Sequence, residues 1–328
     1  MVRTMRETQR NETIYAIVGP TAAGKTRIGF ELAARVGAEI ISVDSRQVYR
    51  YLDVGTDKIS LRERRIVPHH LIDVADPDDV FTVADFVRCA ESAIDRIRNR
   101  GRLPLLVGGS PLYYKALGDG LVSEGMPSDR ELRRSLEEQA EREGNNALFR
   151  VLLTEDPESA ERIHPNDRVR MIRALEVKVL TGRCVGELYR EHEKIGRGLD
   201  ILYFGVNSSR ATLYEKIEKR VVEQFHSGYP EEVKWLLDHG YSRDLPALQG
   251  FGYRELVAYI DGKMTFQEAI EGDIRATKSF SRRQMTWFKH FSPVLWYDIS
   301  GLTFSEILND MERVLRDGMS VEMKRTNE

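Results

Sequence analysis

Short apolar runs alternate with longer stretches of mixed character along the first part of the chain. Five runs are rich in Ile, Val and Leu and lack polar alternation, which is typical of parallel strands covered on both faces. They are residues 13–18 (TIYAIV), 38–43 (AEIISV), 69–74 (HHLIDV), 103–107 (LPLLV) and 201–206 (ILYFGV). Helical patterns at 26–37 and 82–101 lie among the first four. The alternation predicts an α/β fold with a parallel sheet flanked by helices, whose ligands bind at the carboxyl ends of the strands.

This alternation stops after Gly120. Residues 124–198 contain no good strand and instead carry charged helical patterns at 128–144 and 166–182. We therefore predict a discontinuous core domain with a helical insertion, and a wholly helical stretch at 208–292. The predicted boundaries are 12–123 and 199–312 for the core, 124–198 for the insertion, and 1–11 and 313–328 for flexible termini.

One stretch after the first predicted strand has the spacing of a phosphate-binding loop. GPTAAGKT, residues 19–26, matches G-x-x-x-x-G-K-[ST] and lies between a predicted strand and a predicted helix, which is the context that this motif requires. Its glycines permit a tight turn of converging N–H groups, and the helix that follows adds its positive dipole end. The sequence predicts that a diphosphate or nucleotide phosphate binds Gly19, Pro20, Thr21, Ala22, Ala23, Gly24, Lys25 and Thr26, with Thr26 reaching Mg²⁺.

An acidic residue follows the second predicted strand. Asp44, in SVDSRQVY, has two interpretations: it accepts a proton from an acceptor hydroxyl or amine, or it caps the following turn through its own backbone. The pattern alone leaves both open. Asp73, the last residue of HHLID, is a weaker candidate for a metal ligand because nearby acids and Pro77 indicate a solvated loop.

The fourth predicted strand leads into VGGSPLYY, residues 107–114. Gly108 and Gly109 permit close approach of a ligand, and Ser110 is a possible donor to a phosphate. A simple strand-to-helix turn explains the same residues equally well.

Composition excludes several classes of protein. Apolar residues make up 41% and charged residues 31% of the 328 positions, as in ordinary globular proteins, and no run of about 18 apolar residues exists. The polar start of the chain is unlike a secretory signal. Two distant cysteines, Cys89 and Cys184, indicate a reduced cytoplasmic protein without structural zinc. The net charge of −3 argues against a wholly basic nucleic-acid coat but permits a local basic face.

One predicted helix has such a face. In residues 275–291 a helical wheel places a basic stripe on one side and Phe280, Trp287 and Phe291 nearly opposite, which predicts that the aromatic face is buried; no acid occurs in the segment. This favours a polyanionic partner, with RNA contacts by Arg275, Lys278, Arg282 and Lys289, although a stripe that binds a diphosphate would look similar. Two further basic sets occur at 168–173 and 210–220, of which the second is diluted by Glu215 and Glu218.

Taken together, six segments in order resemble the tRNA dimethylallyltransferases, also called tRNA isopentenyltransferases. The resemblance covers about residues 13–292 and is carried by GPTAAGKT, SVDSRQVY, VGGSPLYY, HPNDRVRMIRALEV, LQGFGYRE and RATKSFSRRQMTWF. It implies that the loop binds dimethylallyl diphosphate rather than a nucleotide. It also implies transfer of the prenyl group to N6 of the adenosine 3′ of the anticodon (position 37), in tRNAs that read codons beginning with U.

The resemblance also implies roles for particular residues. Asp44 matches the general base, Lys25 and Thr26 the diphosphate and magnesium positions, Ser110 a diphosphate contact, and Arg220 an arginine that reaches the diphosphate. The implied tRNA contacts are Asp44, Ser45, Arg46, Gln47, Val169, Arg170, Met171, Ile172, Arg173, Gln249, Gly250, Phe251, Gly252, Tyr253 and Arg254. The implied cofactor is Mg²⁺, and we expect a cytoplasmic monomer whose partners are tRNA and dimethylallyl diphosphate, without a membrane.

The chain departs from the family at one position of the site. Pro111 stands where the family has glycine, which removes a backbone donor, and the zinc-finger extension of eukaryotic members is absent. Three alternatives remain: a P-loop kinase of a small metabolite, a prenyltransferase of free adenylate, and a non-catalytic RNA-binding module. The first leaves the basic stripe and residues 248–255 unexplained, and the intact Gly-Lys-Thr argues against the last.

Overall fold

The computed structural model describes residues 13–120, 127–193 and 198–326 and forms two compact units. The first unit runs through Tyr114 and resumes at Leu199, and the second is Lys115–Gly198. The second unit thus begins before the predicted residue 124, because a helix that follows the fourth strand crosses the boundary. Each unit has its own apolar core. Among the described residues, no helix is long and apolar enough to cross a bilayer.

The first unit is built on a parallel sheet in the order β3-β2-β4-β1-β5-β6. β1 and β2 are buried along their whole length, as their unbroken apolar runs predict. The predicted α/β architecture is confirmed. The strands are β1 (Ile14–Val18), β2 (Glu39–Val43), β3 (His69–His70), β4 (Pro104–Gly108), β5 (Ile201–Asn207) and β6 (Val294–Asp298).

Two strands differ from the prediction. β3 ends at His70 because Leu71 and Asp73 adopt φ of 62° and 58°, which no extended strand permits. The predicted strand at 69–74 is therefore wrong beyond its first two residues. β6 was not predicted: it is an edge strand in which Leu295 and Trp296 are about two-fifths exposed, so its sequence lacks a continuous buried run.

Fourteen helices complete the described parts of the chain. In the second unit, two helices match the patterns at 128–144 and 166–182, and three further helices were not predicted. In chain order they are α1 (Lys25–Val36), α2 (Leu61–Ile66), α3 (Val83–Asn99), α4 (Pro111–Gly118), α5 (Arg130–Glu143), α6 (Asn145–Glu155), α7 (Pro157–Arg162), α8 (Arg168–Thr181), α9 (Val185–Glu193), α10 (Arg210–His226), α11 (Tyr229–Asp238), α12 (Tyr253–Ile260), α13 (Phe266–Phe288) and α14 (Phe304–Thr326).

The carboxyl-terminal helix belongs to the core of the first unit. Ile307, Leu308, Met311 and Leu315 of α14 are buried against α1 and the sheet at helical spacing. The prediction of a flexible tail from residue 313 is therefore wrong at its start, because the helix and its apolar face continue beyond that point. The predicted flexible segment 1–11 lies outside the described residues.

A second apolar cluster of the first unit supports the loop after β2. It joins Val48 and Leu52 of that loop to buried residues of α10, α11, α12 and α13. Glu232 of α11 reinforces the contact, since its carboxylate accepts the backbone N–H groups of Asp53, Val54 and Gly55. Tyr253 donates its hydroxyl to the same carboxylate. The loop is therefore fixed by the helices beneath it.

Candidate functional site

A cavity of about 620 Å³ opens at the carboxyl ends of β1, β2 and β4. Residues 21–26 of the phosphate loop line one side, residues 44–47 and 55–57 a second, and residues 107–110 a third. Helices α10 and α13 contribute Arg220 and Gln284. The site thus lies where parallel sheets of this kind place their ligands.

Backbone geometry makes the phosphate loop possible. Gly24, at φ 83°, precedes the first residue of α1, so the loop passes directly into the N-terminus of a helix. Gly19 lies so close to β5 that a Cβ would come within 2.1 Å of the Val206 carbonyl oxygen. These two glycines let the loop turn tightly, and the exposed amide groups and helix dipole then favour an anion.

Lys25 lies at the centre of the loop and is not paired with a carboxylate at close range. Its Nζ donates to the Pro20 carbonyl oxygen at 2.7 Å. Burial and the neighbouring Arg220 lower the pKa of Lys25 to about 8, while Asp44 and Asp57 counteract part of that change. Burial destabilises the charged form of Lys25 because it removes solvating water. A bound anion would stabilise the ammonium again through its opposite charge.

Arg220 extends from α10 to the same loop. Its Nη2 donates to Thr21 Oγ1 at 2.8 Å, and its Nη1 lies 3.5 Å from an Asp57 carboxylate oxygen. Its buried Nε lacks a hydrogen-bond partner among the described residues. Because an unsatisfied buried donor is costly, an oxyanion seated beside the guanidinium would stabilise it.

Asp44 combines the two interpretations that its sequence left open. Its Oδ1 accepts the backbone N–H groups of Arg46 at 2.8 Å and Gln47 at 3.3 Å, which is the predicted turn cap. Its side chain also lines the cavity, and no described residue hydrogen-bonds its Oδ2. The turn fixes the carboxylate while one oxygen stays available to a ligand.

Ser110 connects the fourth strand to this turn. Its Oγ accepts the Ser45 N–H at 3.1 Å, which leaves the hydroxyl proton for a ligand. Pro111 is the first residue of α4, where a backbone N–H has no partner within the helix, so the lost donor costs little. The departure from the family glycine is therefore compatible with the local structure.

The segment LQGFGYRE contributes only part of its length to the cavity. Gly250, Phe251 and Tyr253 line it. Arg46 bridges to this region, since its Nη1 donates to the carbonyl oxygens of Pro246 and Ala247 at 2.8 Å. The structure thus brings together two predicted RNA-contacting segments. Arg46 itself also stabilises the loop before α12 through these two hydrogen bonds.

The face of α13 that is buried differs from the wheel prediction. After Ala269 and Ile270 its buried residues are polar, namely Asp273, Thr277, Ser281 and Gln284, with Phe288 at the end. Trp287 is 37% exposed, and Phe280 lines the cavity, so neither is a core residue as predicted. A polar stripe at helical spacing is the signal that sequence reasoning missed.

The basic stripe of α13 is partly neutralised. Lys278 pairs with Glu218 and lies 5.0 Å from the Tyr214 ring centroid, and Arg275 lies 3.8 Å from a Glu271 carboxylate oxygen. Arg282 and Lys289 are exposed and have no ion pair within the described residues. These two are the best placed members of the stripe for a polyanion.

The other predicted RNA-contacting run lies in the second unit. Met171 and Ile172 are buried in its core, so their side chains serve packing. Val169 is 80% exposed, and Arg170 and Arg173 pair with Asp167 and Glu176. Any RNA contact by this run would therefore involve the exposed members.

Several cavity residues were absent from the predicted site. They include Asp57, which faces Arg220 and has φ of 53°, Arg283, and Gln284. Nothing in the local sequence marks Asp57. Arg283 and Gln284 fall within RATKSFSRRQMTWF, but only the fold shows that α13 reaches the phosphate loop.

The residues available to a metal are few. No cluster of three His, Cys, Asp or Glu side chains suited to a metal occurs in the ranges that the structure describes. Thr26 is exposed and lines the same cavity as Asp44. Asp73 is not a metal ligand here, because Lys58 and Arg64 engage its two oxygens at 2.6 and 2.5 Å.

Comparisons with known proteins agree on one family. The family model described as IPP transferase matches residues 47–291. A protein of Thermomicrobium roseum called tRNA dimethylallyltransferase is 43% identical over 309 residues, which are 94% of this chain and 93% of the relative.

Solved structures give the same result. The tRNA isopentenylpyrophosphate transferase of Bacillus halodurans is 37% identical, with a TM-score of 0.70 over 97% of this chain and all of that one. A eukaryotic dimethylallyltransferase described as acting on tRNA is 26% identical, with a TM-score of 0.74 over 88% of this chain and 74% of that one.

Proposed function

Because this chain belongs to the IPP transferase family, we propose that it transfers a dimethylallyl group to tRNA. The donor is dimethylallyl diphosphate, and the acceptor is N6 of adenosine 37, just 3′ of the anticodon, in tRNAs that read codons beginning with U. The observation that carries the proposal is the cavity in which Lys25 and Arg220 face the half-engaged carboxylate of Asp44. A cationic side for a leaving diphosphate and an acidic side for an amine are the two parts that such a transfer requires.

The leaving group binds at the cationic side. Adenine N6 is a weak nucleophile, since its lone pair is delocalised into the ring, so the allylic C–O bond must break with strong stabilisation of the diphosphate. Lys25, the backbone N–H groups at the start of α1 and Arg220 supply fixed positive charge where negative charge develops. Ser110 adds its hydroxyl proton as a further donor.

Asp44 acts on the acceptor. Its free oxygen accepts the N6 proton as the C–N bond forms, and its other oxygen stays fixed by the turn N–H groups. This proton transfer prevents accumulation of a positively charged product amine. Asp44 also orients the lone pair of N6 toward the allylic carbon.

Magnesium fits this site as a substrate-bound ion. Mg²⁺ prefers oxygen ligands and commonly binds through one or two protein groups plus substrate phosphates. Thr26 offers a hydroxyl at the rim of the loop, in agreement with the lack of a metal-ligand cluster in the described ranges. When bound, Mg²⁺ neutralises charge on the departing diphosphate.

The acceptor must leave the stacked anticodon loop to reach Asp44. Enzymes that modify a base take it out of the stack and read it in a pocket. Phe251 and Phe280 line the cavity and pack at 5.1 Å between ring centroids, which provides an aromatic wall for a flipped purine. We propose that the protein acts as a monomer in the cytoplasm.

The proposal is tested by incubating the purified chain with dimethylallyl diphosphate, Mg²⁺ and unmodified tRNA, followed by mass analysis of the nucleosides. We expect N6-dimethylallyladenosine at position 37. A tRNA with guanosine at position 37 is the matched control and should stay unmodified. Modification of free adenylate but not tRNA, or phosphate transfer from ATP to a small acceptor, would overturn the proposal.

A further inference from the structure

Gln284 joins two loops of the site that are far apart in sequence. Its Oε1 accepts the Thr21 N–H of the phosphate loop at 2.8 Å, and its Nε2 donates to the Gly109 carbonyl oxygen at 2.6 Å. The side chain is 3% exposed. The two partners fix the orientation of the amide, because a backbone N–H requires the oxygen and a carbonyl requires the NH₂ group.

The contact leaves no room for adjustment at Gly109. A Cβ at that position would lie 2.5 Å from Gln284 Nε2 and 3.5 Å from Lys25 Nζ. Since the oxygen and the nitrogen of the amide are both bound to the protein backbone, Gln284 influences the site by fixing the positions of Thr21 and Gly109. Thr21 is also the residue whose hydroxyl accepts from Arg220.

The chain of contacts continues to the acidic side of the cavity. Gly109 precedes Ser110, whose Oγ accepts the Ser45 N–H, and Ser45 follows Asp44. Hydrogen bonds therefore lead from the phosphate loop through Gln284 and Ser110 to the turn that holds Asp44. The cationic and acidic sides of the site are linked by one buried amide.

We infer that Gln284 is a positioning residue that sets the separation between the diphosphate and the general base. The inference rests on the proposed function, and it adds a task for a residue whose amide already binds the backbone of two loops. Misplacement of reacting groups by about 1 Å can reduce a rate about 100-fold, so a rigid link of this kind matters for turnover. The polar buried stripe of α13 serves to bring this amide to the loops.

The test is Gln284→Met, which keeps the length of the side chain and removes both hydrogen bonds. We expect kcat for tRNA prenylation to fall about 100-fold and the Kd for inorganic pyrophosphate to rise about tenfold, while the Kd for tRNA changes less than about twofold. Gln267→Met, on the exposed side of the same helix, is the matched control and should match the wild type.

Further measurements keep the test decisive. Thermal melting checks that each variant is folded; if Gln284→Met does not fold, Gln284→Asn replaces it, since its shorter amide reaches one loop at most. A folded variant with wild-type kcat and pyrophosphate Kd, or a defect confined to tRNA affinity, overturns the inference. If the wild type forms no prenylated adenosine, the proposed function fails, whereas the pyrophosphate measurement still decides whether Gln284 positions the loop.

Discussion

Two carboxylates, the buried Glu176 in the second unit and the partly exposed Asp44 in the first, differ in how many of their oxygens the protein engages. Both oxygens of Glu176 are engaged: Arg133 donates to them at 2.9 and 3.0 Å, and Arg173, Ser128 and the Asp129 N–H add further bonds. Asp44 uses one oxygen for its turn and presents the other to a cavity. A fully satisfied carboxylate organises structure, whereas a half-satisfied one at a cavity that also contains Lys25 and Arg220 is available for chemistry.

The same comparison shows why the number of arginines in a segment does not predict whether that segment binds an anion. Arg173 belongs to a run predicted to contact RNA, yet it donates to Glu176 and to the Pro127 carbonyl oxygen. Arg220 belongs to a segment whose acids suggested an ordinary helix surface, yet it keeps a buried donor without a described partner. Which cation is available to a ligand depends on the partners that folding supplies.

The largest effect is expected at Asp44. Asp44→Asn keeps Oδ1 as the cap of the turn and removes the base, so kcat should fall about 10²- to 10⁴-fold with tRNA affinity nearly unchanged. Single-turnover kinetics and a tRNA binding titration measure the two quantities. Wild-type turnover in this variant would show that Asp44 is not the base.

Glu176 should instead affect stability. Glu176→Ala leaves two arginines beside an empty site and should lower the free energy of unfolding by about 3 kcal/mol, near the low end for broken buried pairs because the arginines are partly exposed. Burial alone would raise the pKa of Glu176, but bonds from Arg133 and Arg173 outweigh it and hold the pKa below the usual value.

The Glu176 contribution therefore depends on pH in a defined direction. It is fully present above the unfolded-state pKa of about 4.3 and is lost as pH falls through the folded-state pKa. Urea unfolding of wild type and Glu176→Ala at several pH values measures the difference. A difference that grows toward acid pH would contradict the assignment.

Lys25 should give the site a pH dependence on the alkaline side. Since the pKa of Lys25 is lowered to about 8, the ammonium loses its proton as pH rises through that value. We expect kcat/KM for dimethylallyl diphosphate to fall at most about tenfold per pH unit above 8. Lys25→Arg, which stays charged, should lack this alkaline decline even if its overall rate is low, and the same decline in that variant would assign it to another group.

The smallest effect is expected on the exposed face of α13. Changing Arg282 and Lys289 together to Ala should weaken tRNA binding modestly and reduce the slope of log Kobs against log salt by about 1.4, or about 0.7 per lost contact. Binding titrations at several salt concentrations measure the slope. The same titrations with Arg283→Ala show the effect of losing a cavity residue on the same helix. An unchanged slope would place the RNA elsewhere.

Sequence patterns located what local chemistry determines. The phosphate loop, the helix that follows it and four of the predicted strands depend on residues that are neighbours in the chain. Long-range features escaped: Thr21 and Gln284 are 263 positions apart, and β6 becomes a strand by pairing with β5 rather than by its own apolar content. The wheel for α13 failed for the same reason, because the surface it meets is a polar site rather than an apolar core.

The Thr21 N–H of the phosphate loop binds a side chain that is encoded 263 positions later. During synthesis the cavity cannot acquire all its walls until the segment that carries Gln284 has left the ribosome. A nascent chain that already displays Gly-Lys-Thr is therefore incomplete as a catalyst, and neither half of this gene product would be expected to function alone.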